Sequence, residues 1–386
     1  MGSKTQLFSL TGAALICVVL GSIHAFSVFL EPLETALGLS RATVSLTYSF
    51  ALVALTATVL IGPKFYSAIS PARLFITAGL FGVVGTGLAG FSEGLFGIWL
   101  GYSLGFGVAN GLGYGIALQF AAMGHPKRKG FAMGVVTAAY ALGAAISPYG
   151  FVEVSAVWGF SGAMYALAFA LAVSATAAAH LAKRSGIRFE STVPRNSEGM
   201  PSPTHVVRLW ITYGAGVAAG LMTIAHAAGI ADIAGIAGWK APAVLAVCNL
   251  AGSLLGGMLV DRYQPRLTFL ILPVMTILGL GILGVAPEFT LIGLGFVGFG
   301  YGGTIAAYPA IIANTYPGSL GPRVYGLVFT AWGTAGLIAP WLAGALFDQA
   351  ASYSTAIWCA VALALISIAM ARQVCAKASN AIATER

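Results

Sequence analysis

Two histidines lie deep inside long apolar stretches of the sequence, where ionisable side chains are costly. His24 lies within the stretch 8–30, and His226 lies within the stretch 207–228. Histidine titrates near neutral pH, so either ring is suited to carry a proton or to pair with a carboxylate. A buried histidine can equally be a packing residue that hydrogen-bonds a main-chain carbonyl. The sequence leaves both interpretations open.

Glycines form a second pattern that could have a chemical function, the binding of a phosphate. Gly105-Phe-Gly107 resembles the start of a dinucleotide-binding loop, but that loop needs a strand before it, a soluble helix after it and an acidic residue about 20 positions on. Here the context is a long apolar stretch, and the last glycine is misplaced. Gly107, Gly111 and Gly115 instead fall four apart on one helical face, a spacing that lets membrane helices approach closely.

Motifs for other chemistry are missing from the sequence. It contains no G-x-x-x-x-G-K-[ST] loop for ATP, and no paired carboxylates, metal-ligand cluster or nucleophile–base set that would indicate an enzyme. The four cysteines show neither disulfide nor metal spacing. We therefore expect no enzyme activity, no metal and no cofactor.

The composition identifies an integral membrane protein. Of 386 residues, 58% are hydrophobic and 8% are charged, whereas soluble domains carry about 25% charged residues. Such a chain cannot cover a water-facing surface. The net charge of +8 is then a signal of membrane topology, and without aromatic residues interleaved among the basic ones it does not indicate nucleic acid.

Twelve stretches are long enough to cross a bilayer, which takes about 20 mostly apolar residues. They are 8–30, 42–61, 73–91, 95–122, 131–152, 160–181, 207–228, 241–260, 265–285, 289–313, 323–347 and 354–373. The first stretch is too long for the core of a signal peptide, so we expect it to be the first span. The polar segment 182–206 predicts a cytoplasmic linker between one bundle at 1–181 and a second at 207–386, which ends in a short cytoplasmic tail.

The basic residues predict the orientation of these spans. With the N-terminus in the cytoplasm, all of the 19 basic residues except Arg41 and Lys240 lie on the cytoplasmic side. Most acidic residues lie on the other side. By the positive-inside rule, this bias predicts a multi-pass protein of the cell membrane, the inner membrane in a bacterium, with both termini cytoplasmic.

An internal repeat relates the two halves. In each half, a glycine is followed by an aromatic residue six positions on and by a proline fourteen positions on. The residues are Gly134, Tyr140 and Pro148, and Gly326, Trp332 and Pro340. Repeated halves are the ground plan of many secondary transporters, which bind substrate near the membrane midplane. The predicted fold is therefore all-α, with twelve transmembrane helices in two pseudo-symmetric six-helix bundles. The repeat also favours Tyr140 and Trp332 as cavity-lining residues over simple aromatic core.

Around these residues the chain resembles the major facilitator superfamily. The stretch GGMLVDRYQPR, residues 256–266, is similar to the superfamily's loop signature, whereas its first-half copy, GPKFYSAISPAR, has Ser67 about where the acid is expected. Stretches such as GSIHAFSVFLEPLETALGLS (21–40) and YGLVFTAWGTAGLIAPWLAG (325–344) are similar to the bacterial oxalate/formate antiporter and monocarboxylate transporter group. The resemblance covers nearly the whole chain.

The resemblance implies a set of substrate-binding positions, to which pseudo-symmetry adds His226. The implied positions are His24, Tyr114, Tyr140, Tyr301, Phe329 and Trp332. The dicarboxylate antiporters of this group have an arginine and a lysine where this chain has Ser253 and Trp332. We therefore expect a monoanionic or weakly charged substrate rather than oxalate.

The loop signature implies a gate formed by Asp261, Arg262 and Arg266. We expect the Asp261 carboxylate to face the positive N-terminal end of the eleventh span, near Pro322 and Arg323, in one conformational state only. The alternative is a charge that only sets topology.

The sequence thus predicts a secondary transporter of a small organic acid, a monocarboxylate, that works by alternating access with proton coupling or anion exchange. One alternative is an exporter of a neutral or amphiphilic compound on the same fold, which an uncharged aromatic cavity favours. Another is a membrane sensor or assembly factor, against which the short tail after Arg372 argues. The expected partners are an organic anion, protons or a counter-anion, and the lipid bilayer, with a monomeric chain and no nucleic acid.

Overall fold

The structure is a computed structural model, which describes residues 3–66, 68–189, 201–236, 240–263, 265–316, 320–350 and 352–384. The regular structure of these residues is helical throughout. Ser67 and the centre of the predicted linker, residues 190–200, lie outside the described residues.

Short helices and changes of helix type interrupt the spans in the first half of the chain. The helices are α1 Ser3–Leu20, α2 Leu30–Leu37, α3 Arg41–Ile61, α4 Pro63–Tyr66, α5 Pro71–Phe91, α6 Leu95–Ile98, α7 Gly107–Gly124 and α8 Lys129–Ser185. A 3₁₀ segment, Gly21–Phe29, joins α1 to α2, and a π-helical segment, Trp99–Phe106, joins α6 to α7.

The second half consists of longer helices. They are α9 Pro203–Ile233, α10 Lys240–Arg262, α11 Pro265–Val285, α12 Thr290–Thr315, α13 Leu320–Ala350 and α14 Ser354–Thr384. A short 3₁₀ turn, Pro287–Phe289, precedes α12.

All twelve predicted stretches lie on helical segments, but only ten segments in the described part are long and apolar enough to count as spans. One reason is that α8 counts once although it contains both 131–152 and 160–181, on either side of a kink at Gly159, where φ is 64°. The other is that the apolar part of α3, Leu46–Ile61, is shorter than the rest.

The start of α3 follows from local sequence. Ser40 is the N-cap of α3, where its hydroxyl accepts a hydrogen bond from the main-chain N–H of Thr43 at 3.3 Å. Such a bond satisfies one of the N–H groups that a helix start leaves without a partner. Ser70 caps α5 in the same way, and Pro71 follows it at a position where a missing N–H is harmless.

The glycines of α7 allow close contact with α3, as their spacing predicts. A methyl group at Gly107 would lie 2.7 Å from the carbonyl oxygen of Ala51. A methyl group at Gly111 would overlap the carbonyl oxygen of Leu55. Both neighbours are main-chain atoms, so the backbones of α7 and α3 are in contact and any side chain there would separate them.

The chain divides into two compact units. Unit 1 consists of Met1–Arg128 and Ala139–Val193, and unit 2 consists of Lys129–Ala138 and Pro194–Arg386. The first turns of α8 thus belong to unit 2, whereas the bundle predicted from the sequence included them in 1–181. Gly134 shows the physical reason, because a methyl group there would lie 2.8 Å from the carbonyl oxygen of Ser253 on α10.

Candidate functional site

His24 lies on the 3₁₀ segment that continues α1. A 3₁₀ run of nine residues is unusually long, and residues three apart in it lie along the same edge. Gly21 and His24 therefore face the same way, towards α8. A side chain at Gly21 would overlap the carbonyl oxygen of Tyr140. The glycine thus lets the segment touch α8, and the His24 and Tyr140 rings meet edge to face with centroids 5.5 Å apart.

His24 belongs to a polar aromatic group that we call the unit 1 cluster. Its members are His24, Tyr48, Asn110, Tyr114 and Tyr140. The shortest contact joins His24 Nδ1 to the Tyr48 hydroxyl at 2.6 Å. The rings of Tyr114 and Tyr140 lie 5.3 Å apart. The structure therefore brings together the three sequence-predicted residues of the first half, His24, Tyr114 and Tyr140.

Asn110 connects this cluster to the end of α1. The Tyr140 hydroxyl donates a hydrogen bond to Asn110 Oδ1 at 2.6 Å, and Asn110 Nδ2 donates to the carbonyl oxygen of Leu20 at 3.0 Å. Leu20 is the last residue of α1, where the change from α-helical to 3₁₀ bonding leaves a carbonyl to be satisfied. Asn110 thus fixes both the interruption that carries His24 and the ring of Tyr140.

The second-half residues Tyr301, Phe329 and Trp332 form a separate group, the unit 2 cluster. The indole N–H of Trp332 on α13 donates to the Tyr301 hydroxyl on α12 at 2.9 Å. The Phe329 and Trp332 rings stack with centroids 5.0 Å apart and an angle of 13° between their planes. All three side chains are buried. Gly220 of α9 makes room for the Tyr301 ring, which any side chain there would overlap.

The aromatic residues of the repeat have corresponding bonding roles. Tyr140 on α8 donates to Asn110 on α7, and Trp332 on α13 donates to Tyr301 on α12. Each repeat aromatic is therefore tied to a polar side chain on the long helix that precedes its own.

His226 makes its described contacts away from these residues. Its Nε2 lies 2.8 Å from the carbonyl oxygen of Pro340, and its Nδ1 lies 3.2 Å from the Tyr353 hydroxyl. A carbonyl oxygen only accepts, so Nε2 carries a proton, and in the neutral ring Nδ1 accepts from Tyr353. These contacts fit the packing interpretation that the sequence left open, because they connect α9 to α13 and to the residue before α14.

Asp261 corrects one expectation about the predicted gate. Its carboxylate accepts hydrogen bonds from the main-chain N–H groups of Gly130 at 2.9 Å and Phe131 at 2.7 Å. It therefore faces the start of α8, not the start of α13 near Pro322 and Arg323. The chemistry is the expected one, a carboxylate at the positive end of a helix, but the helix is a different one.

The start of α8 lacks a cap of its own. Arg128 occupies the N-cap position without a side-chain hydrogen bond to the helix, so Asp261 supplies the missing acceptor from α10. Lys129 adds a contact in the same region, because its ammonium group donates to the carbonyl oxygen of Ala313 in the last turn of α12 at 3.1 Å. A cation is favourable at that helix end.

The other two predicted gate residues are Arg262 and Arg266. The Arg262 guanidinium lies 5.9 Å from the centroid of the Tyr263 ring. Arg266 lies on α11, but its side chain is outside the part that the structure describes.

Ser253 is the residue that the resemblance aligns with a cation of the dicarboxylate antiporters. Its side chain is buried, and its hydroxyl donates to the carbonyl oxygen of Gly302 at 3.2 Å. At this position the structure therefore has a hydrogen bond between α10 and α12 in place of a cation. Across the described residues, no three histidine, cysteine or acidic side chains come together as metal ligands would.

Tyr48 and Tyr353, the hydroxyl partners of the two histidines, are not among the residues predicted from the sequence. Both are tyrosines next to or within apolar stretches, and a buried tyrosine hydroxyl usually has a hydrogen-bond partner. That rule could have marked them as candidates, but it could not have paired either one with a particular histidine.

Sequence comparisons point to one superfamily. A family model described as Major Facilitator Superfamily matches residues 202–375. A curated relative, the uncharacterized MFS-type transporter YhjX of Escherichia coli (strain K12), is 23% identical over 348 residues, which cover 86% of this chain and 85% of the relative.

Solved structures share the fold at low sequence identity. The proton:xylose symporter XylE superposes with a TM-score of 0.72 at 13% identity, covering 97% of this chain and 96% of that one. The human organic anion transporter MFSD10 gives a TM-score of 0.70 at 12% identity, with 96% and 100% covered. The E. coli fucose:proton symporter FucP gives 0.62 at 15%, with 97% and 99% covered. The second half of the chain thus matches the Major Facilitator Superfamily model, and the whole chain shares the helical, multi-spanning fold of transporters from that superfamily.

Proposed function

We propose that this chain is a secondary transporter of the major facilitator superfamily and that it carries a small organic acid, a monocarboxylate, by proton coupling or by exchange for another anion. The observation that carries the proposal is the 2.6 Å contact between His24 Nδ1 and the Tyr48 hydroxyl. This contact favours proton coupling over exchange, because a hydroxyl can both donate and accept a hydrogen bond.

The Tyr48 hydroxyl can serve both charge states of the His24 ring. It donates to Nδ1 when the imidazole is neutral, and it accepts from Nδ1–H when the ring is an imidazolium. The ring can therefore gain or lose a proton without losing this partner. A nearby carboxylate stabilises the imidazolium. By reciprocity, protonation raises the affinity for the carboxylate by the same factor.

The lack of charged side chains in the spans of the unit 1 cluster favours a monoanionic substrate. The sequence has no Asp, Glu, Lys or Arg within 8–30, 95–122 or 131–152, the stretches that carry the unit 1 cluster apart from Tyr48. One titratable ring can balance one carboxylate. A dicarboxylate would bring a second charge into an apolar environment, and the cations that the related antiporters use are replaced here by Ser253 and Trp332.

The structural relatives support the same classes of cargo and coupling. XylE and FucP are named as proton symporters, and MFSD10 is named as an organic anion transporter. Proton coupling and anion transport therefore both occur on the fold that this chain shares with them.

A neutral or amphiphilic cargo is the second candidate, and the unit 2 cluster is what favours it. The stacked pair of Phe329 and Trp332 forms a broad aromatic surface without charge, which is buried in this structure. In a transport state that exposes this pair, a planar neutral compound would be attracted to it by apolar burial and ring stacking.

A ligand panel with two histidine variants tests the proposal. Purified protein is heated with monocarboxylates, dicarboxylates and neutral analogues, because a compound that binds the folded state raises its melting temperature. The compound that binds is then used for affinity and uptake measurements on either side of the usual histidine pKa. We expect a monocarboxylate to bind, and His24→Gln to weaken its binding by roughly tenfold to a hundredfold, about 1.5–3 kcal/mol, and to flatten the pH profile.

His180→Gln is the matched control, because His180 is an exposed histidine on α8. It should leave affinity and pH profile unchanged. Stabilisation by neutral compounds alone would favour the second candidate. A wild-type pH profile in folded His24→Gln protein would remove His24 from the coupling mechanism.

We further propose that Asp261, with Arg262 and Arg266, belongs to a gate. What supports it is the pair of hydrogen bonds from the start of α8 to the Asp261 carboxylate, a polar contact that a moving helix can make and break.

A further inference from the structure

A groove separate from all the predicted site residues opens on unit 2, between α9, α13 and α14. It has a volume of about 370 Å³. Small residues form much of its lining, among them Gly214, Ala218, Ala331 and Ala335. Large apolar side chains at its edge, such as Ile338, are about half exposed, at 48%. The groove is therefore open along its length to the medium around the helices.

The polar groups that border this groove are already bonded within the protein. The indole N–H of Trp210 donates to the Thr330 hydroxyl at 2.8 Å. The Thr334 hydroxyl donates to the carbonyl oxygen of Thr330 at 2.9 Å. What these two side chains turn to the groove is ring and methyl surface. A polar transport substrate would lose its hydration there without compensation, whereas an alkyl chain would not.

The length of the groove matches one leaflet of a bilayer. Its lining on α9 extends from Trp210 to Met222, which is twelve helical steps of 1.5 Å, or about 18 Å. Half of a hydrocarbon core of about 30 Å is about 15 Å. An acyl chain that enters from the Trp210 end would reach the middle of the membrane along this groove.

A positive charge stands at that end. Arg208 precedes Ile211 by three residues and Ala215 by seven, so it continues the stripe of α9 that lines the groove, one turn beyond it. Tryptophan at position 210 is the residue type that membrane–water boundaries favour. An anionic headgroup at this boundary would therefore meet the guanidinium while its chain lies on apolar surface.

We propose that this groove binds one acyl chain of an anionic bilayer phospholipid, with the headgroup phosphate against Arg208. The lipid fills the trough that the small residues leave between α9, α13 and α14, and it holds the three helices together at that side of unit 2. The binding needs no transport substrate, so it stands or falls independently of the proposed function.

Quenching of Trp210 fluorescence by brominated acyl chains tests this proposal. The full-length protein is purified in detergent, and phosphatidylglycerol with brominated chains is added. The chain has seven tryptophans, so the signal of Trp210 is the difference between the wild type and Trp210→Phe. We expect saturable quenching of that component, with brominated phosphatidylcholine, which is zwitterionic, binding about fivefold more weakly, as loss of about 1 kcal/mol of headgroup attraction predicts.

Two pairs of variants separate the chain site from the charge site. Thr334→Phe fills the groove and should abolish the saturable component, whereas Leu337→Phe, an exposed position on α13 outside the groove, should not. Arg208→Gln should remove the preference for phosphatidylglycerol. Arg208→Lys, which keeps the charge, and Arg323→Gln, at an exposed arginine elsewhere, should retain it.

Several results would overturn the proposal. One is equal quenching by both lipids, and another is a wild-type response in folded Thr334→Phe protein. The third is a dimer, detected by light scattering on the same samples, without quenching of Trp210. That result would mean that a second copy of the chain occupies the groove.

Discussion

The Asp261 carboxylate accepts a hydrogen bond at 2.7 Å from the main-chain N–H of Phe131, 130 residues earlier in the chain. A second bond reaches it from Gly130 at 2.9 Å. These two N–H groups belong to the first turn of α8, which has no side-chain cap at Arg128. Asp261 is thus a helix cap supplied from α10, and its charge lies where the helix dipole favours it.

Loss of this cap should lower stability and impair transport more than binding. We expect Asp261→Ala to lower the free energy of unfolding by about 0.5–2 kcal/mol. Asp261→Asn keeps one acceptor oxygen, so it should lose one of the two hydrogen bonds as well as about 0.3–1 kcal/mol from the dipole interaction. If the contact exists in one transport state only, both variants shift the population of states and leave the substrate site intact.

Melting temperature, ligand affinity and uptake at equal expression check this prediction. Glu288→Gln is the control, since Glu288 is an exposed carboxylate on the short turn before α12. If uptake by Asp261→Asn equals that of the wild type, Asp261 is a structural cap and not a gate.

The bond between Trp332 and Tyr301 should be measurable by a double-mutant cycle. Tyr301→Phe removes the acceptor of the indole N–H at 2.9 Å, and Trp332→Phe removes the donor. We expect Tyr301→Phe to lose about 1 kcal/mol of stability, and Trp332→Phe to lose more, because it also removes buried ring volume. The double variant should lose less than the sum, because each replacement removes the same bond.

Chemical unfolding of the four proteins in detergent gives the coupling free energy. Tyr308→Phe with Trp332→Phe forms the control cycle, with another buried tyrosine of α12 in place of Tyr301. Additive effects in the Tyr301–Trp332 cycle would mean that the hydrogen bond contributes nothing to stability.

His226 should behave mainly as a packing residue. His226→Ala removes the bonds to Pro340 and Tyr353 and leaves a partly buried carbonyl without its donor, which costs about 1 kcal/mol or more. We expect a lower melting temperature with ligand affinity and pH profile close to wild type, the opposite of the result expected for His24→Gln. A stable His226→Ala protein with weakened binding would return His226 to the substrate-binding residues predicted from pseudo-symmetry.

The helices could be predicted because the evidence for them is local. An apolar stretch of bilayer length and a charged loop are visible in neighbouring residues, so each predicted span, from 8–30 to 354–373, lies on helix. The interruption of the first span at Gly21 could not be predicted in this way. It depends on the close approach of Tyr140, more than a hundred residues away.

The contacts of the candidate site depend on the direction in which each side chain points from its helix, and the sequence does not contain that direction. His24 and His226 lie in corresponding spans, but the first faces Tyr48 and the second faces Pro340. Asp261 has the expected chemistry, and only its partner helix was wrong. A carboxylate at a loop signature predicts that a helix start will be nearby, whereas the identity of that helix follows from the packing of the first turns of α8 against α10 within unit 2.

The close approach of α7 and α3 gives a prediction with a control inside the same protein. A methyl group at Gly111 would overlap the carbonyl oxygen of Leu55, and no flexible side chain can yield there because the neighbour is backbone. We expect Gly111→Ala to lower the free energy of unfolding by about 1–3 kcal/mol through overpacking.

At Gly87 on α5, a methyl group would meet nothing within 4 Å. Gly87→Ala should therefore be neutral or stabilising by up to about 1 kcal/mol, the usual advantage of alanine over glycine in a helix. Unfolding of both variants in the same detergent decides the matter: equal effects at the two positions would show that helix propensity, not contact with α3, determines the need for glycine at 111.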